Sequence, residues 1–397
     1  MIYLKNKLFN FLEERVALPL MKSLQRQSDF LIKNIGANRN GPGAPRALVI
    51  YVSTSIPYYM SGNVYACPII DSHAMYWESA EIVNVLVNHG FVVDFINCFK
   101  PIPEIAWEKY KLVVDEGNNL INAPDVPGQV RAFYCTGLPW DFHNAAELRR
   151  HKEFYERNGV LLNPQRIVRP NFSDQKSNYI FCFAYKEWME LFSPIPVRQP
   201  ITTSVTFVPD KIERDYSKRE FLWLGSHGPI HKGLDLLVEA FRELPGVRLN
   251  VFGPITADLL FFSWLVKEIR ANPNIVFHDT ATISDIHFQS VVKNCVAHIF
   301  PSCSEGGAGS VAQTSHFGLV PVVTHTANAL SGQLGFTIRS LDTRQIIIEI
   351  QEHVRNILEL SEIEIAQKSD SLIEFARKTH TREVYSRLFT EFVRQLK

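Results

Sequence analysis

The stretch that decides the fold runs from residue 221 to residue 237 and reads FLWLGSHGPIHKGLDLL. An apolar run ends at Gly225, a loop with two histidines and Lys232 follows, and apolar residues then recur at helical spacing from Leu234. This order predicts a buried strand, a loop and a helix. Backbone N–H groups at such a helix start favour an anion, and Lys232 adds positive charge. An ordinary turn with a solvated lysine is the alternative, because neither G-x-x-x-x-G-K-[ST] nor G-x-G-x-x-G fits the loop.

The alternation of strand and helix extends along the chain in both directions. Continuous apolar runs separated by helical patterns are typical of a parallel sheet that is covered on both faces. The predicted strands are ALVIYVS, FVVDFIN, KLVVDEG and QVRAFYC in the first half, and EFLWLG, VRLNVFG, NIVFHD, VAHIFPS and VPVVTH in the second. Residues 193–220 are rich in proline, threonine and charge, which predicts a domain boundary. We therefore expect two doubly wound α/β domains with a binding cleft at the carboxyl ends of their strands.

Composition excludes several classes of protein. The 397 residues suffice for two domains at about 100–200 residues each. The 41 Lys and Arg residues balance 41 Asp and Glu residues, which argues against a general nucleic-acid-binding protein. Six cysteines without a C-x-x-C pair indicate reduced thiols of a cytoplasmic protein. No apolar run approaches the ~18–20 residues of a membrane span.

The N-terminal segment, residues 1 to about 35, has a pattern of its own. Apolar residues, five leucines and Val16, recur at four-residue spacing from Leu4 to Leu24, with basic residues in between, which predicts a helix that Pro19 kinks. This helix would pack on its own protein or a dimer partner, or it would lie on an anionic membrane surface. The composition of residues 36–46 predicts a linker.

A second informative stretch, FPSCSEGGAGSVAQTSHFGLVPVV, spans residues 300–323. It predicts a strand, a polar loop with Glu305 and three glycines, a helix and a further strand. A carboxylate beside a glycine-rich helix entry can accept hydrogen bonds from sugar hydroxyls while backbone N–H groups face phosphate. Gln313 follows about two helical turns later, on a similar side of the helix. The alternative is a helix-capping Glu305 and a surface Gln313.

In order and spacing, the two stretches resemble the donor-binding half of GT-B glycosyltransferases, in the large retaining "glycosyltransferase group 1" family. The resemblance covers residues 220–325, and the residues that match the family's motifs are Gly225, Lys232, Gly233, Pro301, Ser302, Glu305, Gly306, Gly318, Pro321 and Val322. It implies an α/β protein with the GT-B fold, in which two Rossmann-like doubly wound domains face each other across a cleft. We expect an N-terminal helical extension and linker (1–45), an acceptor domain (46–205), a nucleotide-sugar donor domain (206–380) and a C-terminal helix that crosses back to the acceptor domain (381–397).

The resemblance also implies roles for individual residues. Lys232 would neutralise the leaving diphosphate, and Glu305 would hold hydroxyls of the transferred sugar. His143 would lie near the reacting sugar, or is a helix residue without a chemical role. Gly62, in the loop after the first strand, would lie under the phosphates. The other donor-binding positions would contact the sugar, the phosphates or the ribose through loop residues and backbone amides: Gly225, Ser226, His227, Gly228, Gly306, Gly307, Ala308, Ser310, Val311 and Gln313.

This chain departs from the family pattern at three places. Gln313 stands where the family has a second Glu, Ser226 and His227 stand where it has an Arg, and the loop to Lys232 is longer by about one residue. A neutral amide can still bind ribose hydroxyls. His227 or His231 would replace part of the lost charge, since histidine is partly charged near neutral pH. A catalytically decayed relative that binds a sugar nucleotide or a glycan is therefore an alternative.

The implied function is retaining transfer of a sugar from a nucleotide-diphosphate donor to a hydroxyl acceptor. The implied partners are the nucleotide sugar, which serves as co-substrate without a further cofactor, and a glycan or lipid-linked acceptor. No D-x-D and no set of residues with ligand spacing indicates a metal. The expected setting is bacterial cell-surface polysaccharide synthesis in the cytoplasm, with residues 1–35 as the contact to the inner membrane. Another GT-B-type enzyme, such as a sugar-nucleotide epimerase or a phosphorylase, is a third hypothesis.

Overall fold

The computed structural model describes residues 31–396, apart from residues 101, 184–190, 193–196, 211–212 and 281. The predicted N-terminal helix therefore lies almost entirely outside the described residues. None of the helices in the described part of the chain combines the length and the apolar character that a membrane crossing requires.

The first domain, in its described residues, contains a seven-stranded sheet. Its strand order in space is β1-β3-β2-β4-β5-β6-β7, and all neighbours are parallel except β1, which pairs antiparallel with β3; the strands are β1 (Leu31–Ile35), β2 (Arg46–Tyr51), β3 (Val92–Asn97), β4 (Leu112–Asp115), β5 (Val130–Cys135), β6 (Tyr179–Cys182) and β7 (Val197–Pro200). Strands β2 to β5 bury almost every residue, which confirms the predicted sheet with both faces covered. The helices of this domain are α1 (Ala37–Asn40), α2 (Ile56–Met60), α3 (Ala74–Asn88) and α4 (Trp140–Asn158).

The second domain contains a six-stranded sheet, again counted over the described residues. It is fully parallel, with the order β10-β9-β8-β11-β12-β13; the strands are β8 (Glu220–Leu224), β9 (Leu249–Phe252), β10 (Ile275–Phe277), β11 (Cys295–Phe300), β12 (Val320–Thr324) and β13 (Phe336–Ile338). This is the doubly wound Rossmann order. Its helices are α5 (Leu234–Arg242), α6 (Leu259–Ala271), α7 (Ile286–Val292), α8 (Gly309–Ser315), α9 (Thr343–Glu359) and α10 (Glu362–Thr379).

The last helix, α11 (Arg382–Gln395), packs against the first domain. Tyr385 lies within 2.8 Å of the hydroxyl of Tyr134 on β5, with both side chains buried. Phe389 and Phe392 pack on the ring of Phe181 on β6. The chain therefore returns to the first sheet after it has completed the second.

Helix α4 joins the two domains. Its C-terminal half enters the core of the second domain, where the ring of Phe154 lies 5.1 Å from that of Trp264. Arg157 donates to Asp235 and Glu239 at 2.5 and 3.1 Å, and both acceptors belong to α5. These largely buried ion pairs connect α4 to α5 of the second domain.

The prediction of helix up to about residue 35 is wrong for Leu31–Ile35, which form the edge strand β1. Leu31 pairs with Ile96 of β3, and the backbone N–H of Asn34 donates to Asp94 at 2.8 Å. The spacing of the apolar residues in this segment fits both a helix and a strand. Pairing with β3 makes it a strand. Strands β7 and β13 were not predicted; both are short edge strands.

Candidate donor-binding site

Two loops meet at the switch point of the second sheet: the loop that carries Lys232 (residues 225–233) and the glycine-rich loop that carries Glu305 (residues 301–308). Strands β8 and β11 are neighbours, and the chain leaves them towards opposite edges of the sheet. Doubly wound sheets open a crevice at this point. There, Nζ of Lys232 lies 2.7 Å from Oε1 of Glu305. The structure therefore brings together two of the three residues predicted to carry the chemistry, Lys232 and Glu305.

Close backbone packing shapes the loop that carries Lys232. Gly233 has φ +71°, and a β-carbon there would lie 2.6 Å from the carbonyl oxygen of Pro301, so only glycine lets the two loops approach. The indole N–H of Trp223 donates to the carbonyl of Lys232 at 3.2 Å. Ser226 and His227 lie exposed at the tip of the loop.

Glu305 and Lys232 form a charged pair. Oε1 of Glu305 accepts from Lys232 and, at 3.0 Å, from the hydroxyl of Ser302. Burial alone would raise the pKa of Glu305, but the charges of Lys232 and Arg166 lower it to about 2. Burial lowers the pKa of Lys232, and Glu305 opposes that shift. An anion that enters here meets an ammonium group already oriented by a carboxylate.

His231 connects its own loop and the loop of Ser304 to helix α4 of the first domain. Its Nε2 donates to the carbonyl of Ser304 at 2.6 Å, and its Nδ1 lies 2.8 Å from Oε2 of Glu147 on α4. Because both nitrogens face acceptors, the ring is an imidazolium. Burial would lower its pKa, but Cys303, Glu147 and Glu305 raise it to about 9. The positive charge expected of His231 is present, yet Glu147 neutralises it.

His143 lies at the same junction, with both ring nitrogens engaged. Nε2 donates to the carbonyl of Arg166 at 2.7 Å, and Nδ1 accepts from the hydroxyl of Ser304 at 3.0 Å. The ring centroid is 4.7 Å from that of His231. Burial and His231 lower the pKa of His143 to about 4, so the ring is neutral. This geometry positions the loop of Ser304 against the first domain.

The glycine-rich loop contacts the first domain directly. A β-carbon on Gly306 would overlap the carbonyl oxygen of Thr136, and one on Gly307 would lie 2.8 Å from Thr203. Ala308 has φ +40°, a left-handed conformation that begins α8. The backbone N–H of Val311 donates to Ala308 at 2.8 Å. The loop thus keeps its shape through its own bonds and the facing domain.

Three further predicted residues are placed as follows. Oε1 of Gln313 accepts from the backbone N–H groups of Thr206 and Phe207 at 3.1 and 3.2 Å, so this buried amide ties α8 to the segment between the domains. The hydroxyl of Ser310 is buried and has no hydrogen-bond partner within the described residues. Gly62 lies in an exposed turn after α2, and no atom of the described chain comes within 4 Å of where its β-carbon would be.

Sequence reasoning missed Glu147 and Arg166. Oε1 of Glu147 accepts from the backbone N–H groups of Gln165 and Arg166 at 2.8 and 3.0 Å, while Oε2 faces His231. The available signal was the four-residue spacing of His143 and Glu147, which places both on one face of α4. Arg166 follows α4 in a segment without regular structure, where no pattern marks it.

One group of side chains has the composition of a metal site. Glu147, His231 and Cys303 each place one potential ligand atom within 4.8 Å of the others. Carboxylate, imidazole and thiolate are all zinc ligands. Here Nδ1 of His231 instead faces both partners, with Sγ of Cys303 at 3.4 Å and the carboxylate at 2.8 Å. A reaction without a metal stays a prediction.

Comparison with known proteins identifies the fold. No protein-family model and no curated protein matches the chain. Its structure is similar to sucrose-phosphate synthase from Thermosynechococcus elongatus, with a TM-score of 0.57 and 11% identity over 89% of this chain and 99% of that chain. Anabaena HepE, solved with UDP and glucose, matches at a TM-score of 0.53 and 11% identity over 88% and 100% of the two chains. The predicted GT-B fold, with two parallel-sheet α/β domains, is confirmed.

The chain spans about half of TarM from S. aureus, covering 55% of that chain with 73% of its own residues at 12% identity and a TM-score of 0.46.

Proposed function

We propose that this protein is a retaining glycosyltransferase that moves a sugar from a nucleotide-diphosphate donor to an acceptor hydroxyl. The observation that carries the proposal is the pair of Lys232 and Glu305 at the switch point of the second GT-B domain, 2.7 Å apart and covered by the first domain. A buried cation beside a partly buried carboxylate suits a ligand that carries both phosphates and hydroxyls.

In the proposed reaction, Lys232 turns from Glu305 to the diphosphate, and Glu305 accepts hydrogen bonds from the sugar. The bond between the anomeric carbon and the diphosphate oxygen breaks, and Lys232 stabilises the negative charge that develops on that oxygen. Retention requires that the acceptor oxygen bonds to the carbon on the face that the diphosphate leaves. The acceptor proton then passes to the departing oxygen.

The other predicted residues would support this chemistry from their observed places. Backbone amides from Gly306 to Ser310 would face the sugar and the phosphates at the start of α8. His143 would act as a positioning residue, because its nitrogens hold Ser304 and Arg166. We propose no metal and no further cofactor.

A catalytically decayed sugar-nucleotide-binding or glycan-binding relative is the second candidate. Gln313 supports it, because both polar ends of this amide bond to the segment at Thr206 and Phe207 rather than facing a ligand. The absence of arginine at Ser226 supports it as well.

Donor turnover separates the two candidates. The protein is incubated with UDP-, GDP-, ADP- and TDP-glucose and a glycan acceptor, and released nucleoside diphosphate and the anomeric configuration of the product are measured. Transfer with retention supports the first candidate, and transfer with inversion contradicts it. Binding without turnover in any mixture supports the second.

We also infer a setting in bacterial cell-surface polysaccharide synthesis, with a glycan or lipid-linked acceptor and residues 1–35 against the inner membrane. The basic, leucine-rich N-terminal sequence supports this inference. Sedimentation with phosphatidylglycerol vesicles tests it: the full chain should sediment, and a chain without residues 1–30, which keeps strand β1, should stay in the supernatant. Equal sedimentation of both would contradict a membrane role for that segment.

A further inference from the structure

Arg166 reaches across from the first domain to the loop that carries Lys232. Its side-chain stem covers Gly228, where an added β-carbon would lie 2.6 Å from Cγ and 3.0 Å from Cδ of the arginine. Gly228 belongs to the second domain, and Arg166 follows α4 of the first. The arginine therefore packs on the loop where the charge of the family's arginine is missing.

The backbone of Arg166 is held on both sides by helix α4. Its N–H donates to Glu147 at 3.0 Å, and its carbonyl accepts from His143 at 2.7 Å. The neighbouring amide of Gln165 adds a third bond to Glu147 at 2.8 Å. On the side of Gln165 and Arg166 these bonds use only main-chain atoms. They therefore orient Arg166 and leave its guanidinium for another partner.

The guanidinium lies close enough to the Lys232–Glu305 pair to change its electrostatics. It lowers the pKa of Glu305, second only to Lys232 among the charges that do so, and it lowers the pKa of Lys232 itself. It also acts, with Lys232, on His73 at the start of α3. Charged side chains of both domains thus lie near the pair of Lys232 and Glu305.

Arg166 adds positive charge beside two charge pairs that neutralise themselves. Lys232 contacts Glu305, and His231 contacts Glu147, so these four charges cancel in pairs. Within the described part of the chain, the guanidinium of Arg166 forms no ion pair with a carboxylate. The side chain is also half-buried, so water screens its charge less than at an exposed position, and its attraction for a multiply charged anion is stronger.

We propose that Arg166 binds the diphosphate of the donor from the facing domain and takes the place of the arginine that Ser226 and His227 lack. This inference rests on the proposed function, because it specifies the anion that the same site receives. A guanidinium binds phosphate oxygens through two parallel N–H groups. Since Arg166 and Lys232 belong to different domains, the anion would join the domains as well as fill the site.

Calorimetric titration with inorganic pyrophosphate and with UDP, GDP, ADP and TDP tests the inference on four proteins. They are the wild type, Arg166→Ala, Arg166→Lys and the control Arg169→Ala, which removes an exposed arginine three positions away. Arg166→Ala should weaken the binding of pyrophosphate and of the preferred nucleotide by about tenfold or more, equal to ~1.4 kcal/mol. Arg166→Lys should bind at an intermediate level, and Arg169→Ala should stay within about twofold of wild type.

The melting temperature shows whether each variant folds, and removal of the side chain spares the three main-chain bonds. The inference is overturned if Arg166→Ala binds as wild type does, or if Arg169→Ala loses as much. Nucleotide binding that does not depend on Arg166 overturns the inference and leaves the proposed function standing. Pyrophosphate binding that depends on Arg166, without binding of any of the four nucleotides, leaves Arg166 as a diphosphate ligand but contradicts the nucleotide donor of the proposed function. A wild type that binds none of the five probes contradicts both.

Discussion

Gly306 and Thr136 meet backbone to backbone: a β-carbon on Gly306 would overlap the carbonyl oxygen of Thr136 and lie 2.9 Å from the nitrogen of Gly137. One residue belongs to the glycine-rich loop of the second domain and the other follows β5 of the first. The carboxyl edges of the two sheets therefore touch without side chains between them. Glycine at position 306 is required by this contact.

Replacing Gly306 by alanine should destabilise the contact between the domains. The new methyl group collides with a backbone that is anchored in β5, and overpacking of this kind costs about 1–3 kcal/mol. We expect a lower melting temperature and weaker nucleotide binding. Gly137→Ala is the matched control, because no atom of the described chain lies within 4 Å of a β-carbon there. Equal stability of Gly306→Ala and wild type would show that the loops do not meet as described.

Stability should fall at alkaline pH through His231. Its pKa is about 9 in the folded state against 6.5 in the unfolded chain. The contribution of His231 is therefore complete below about pH 6.5 and is lost as the pH rises through about 9. Urea unfolding of wild type across this range should show the loss, and Glu147→Gln, which removes the facing anion, should flatten the curve. Observation of the His231 ring by NMR gives a second measure, and titration near its ordinary pKa contradicts the imidazolium assignment.

Glu305→Gln should separate binding from transfer. The amide keeps a hydrogen-bond acceptor but no longer neutralises Lys232, so the diphosphate should bind at least as tightly as in wild type. Sugar transfer should fall by about a hundredfold, because contacts to the sugar that strengthen in the transition state are lost. Nucleotide titration and donor turnover measure the two effects. Loss of nucleotide binding together with turnover would mean that Glu305 maintains the loop instead of contacting the sugar.

Removal of divalent metal should leave the protein unchanged. Leaving-group charge is assigned to Lys232, Arg166 and backbone dipoles, so an excess of EDTA should alter neither nucleotide affinity nor turnover. The group of Glu147, His231 and Cys303 makes this a sharp test, since zinc there would bind through a thiolate. A drop in activity that added zinc or magnesium restores would contradict the metal-independent reaction.

Most of the fold could be predicted from the sequence because buried parallel strands have a strong local pattern. The apolar runs that end at Gly225 and Pro301 predict β8 and β11, which the structure confirms. The edge strand Leu31–Ile35 was missed because its spacing fits a helix as well, and its identity depends on pairing with β3.

The site could be predicted only where a residue stands in a recognisable local motif. Lys232 and Glu305 each stand in a loop with a recognisable motif, and the structure places them in contact. Glu147 and Arg166 come from the other domain, so their proximity to these loops depends on how the domains pack. Gln313 shows the converse, because motif spacing cannot reveal that the segment at 206–207 already binds its amide.

Calorimetric titration of UDP, GDP, ADP and TDP into wild type, Lys232→Ala and the control Lys267→Ala tests the central claim most directly. Lys267 is an exposed lysine on α6 of the same domain. We predict that one nucleotide binds wild type and Lys267→Ala alike, and that Lys232→Ala weakens it by about tenfold or more, ~1.4 kcal/mol. If none of the four nucleotides binds wild type at millimolar concentration, or if Lys232→Ala binds as wild type does, the loop that carries Lys232 does not hold a donor diphosphate.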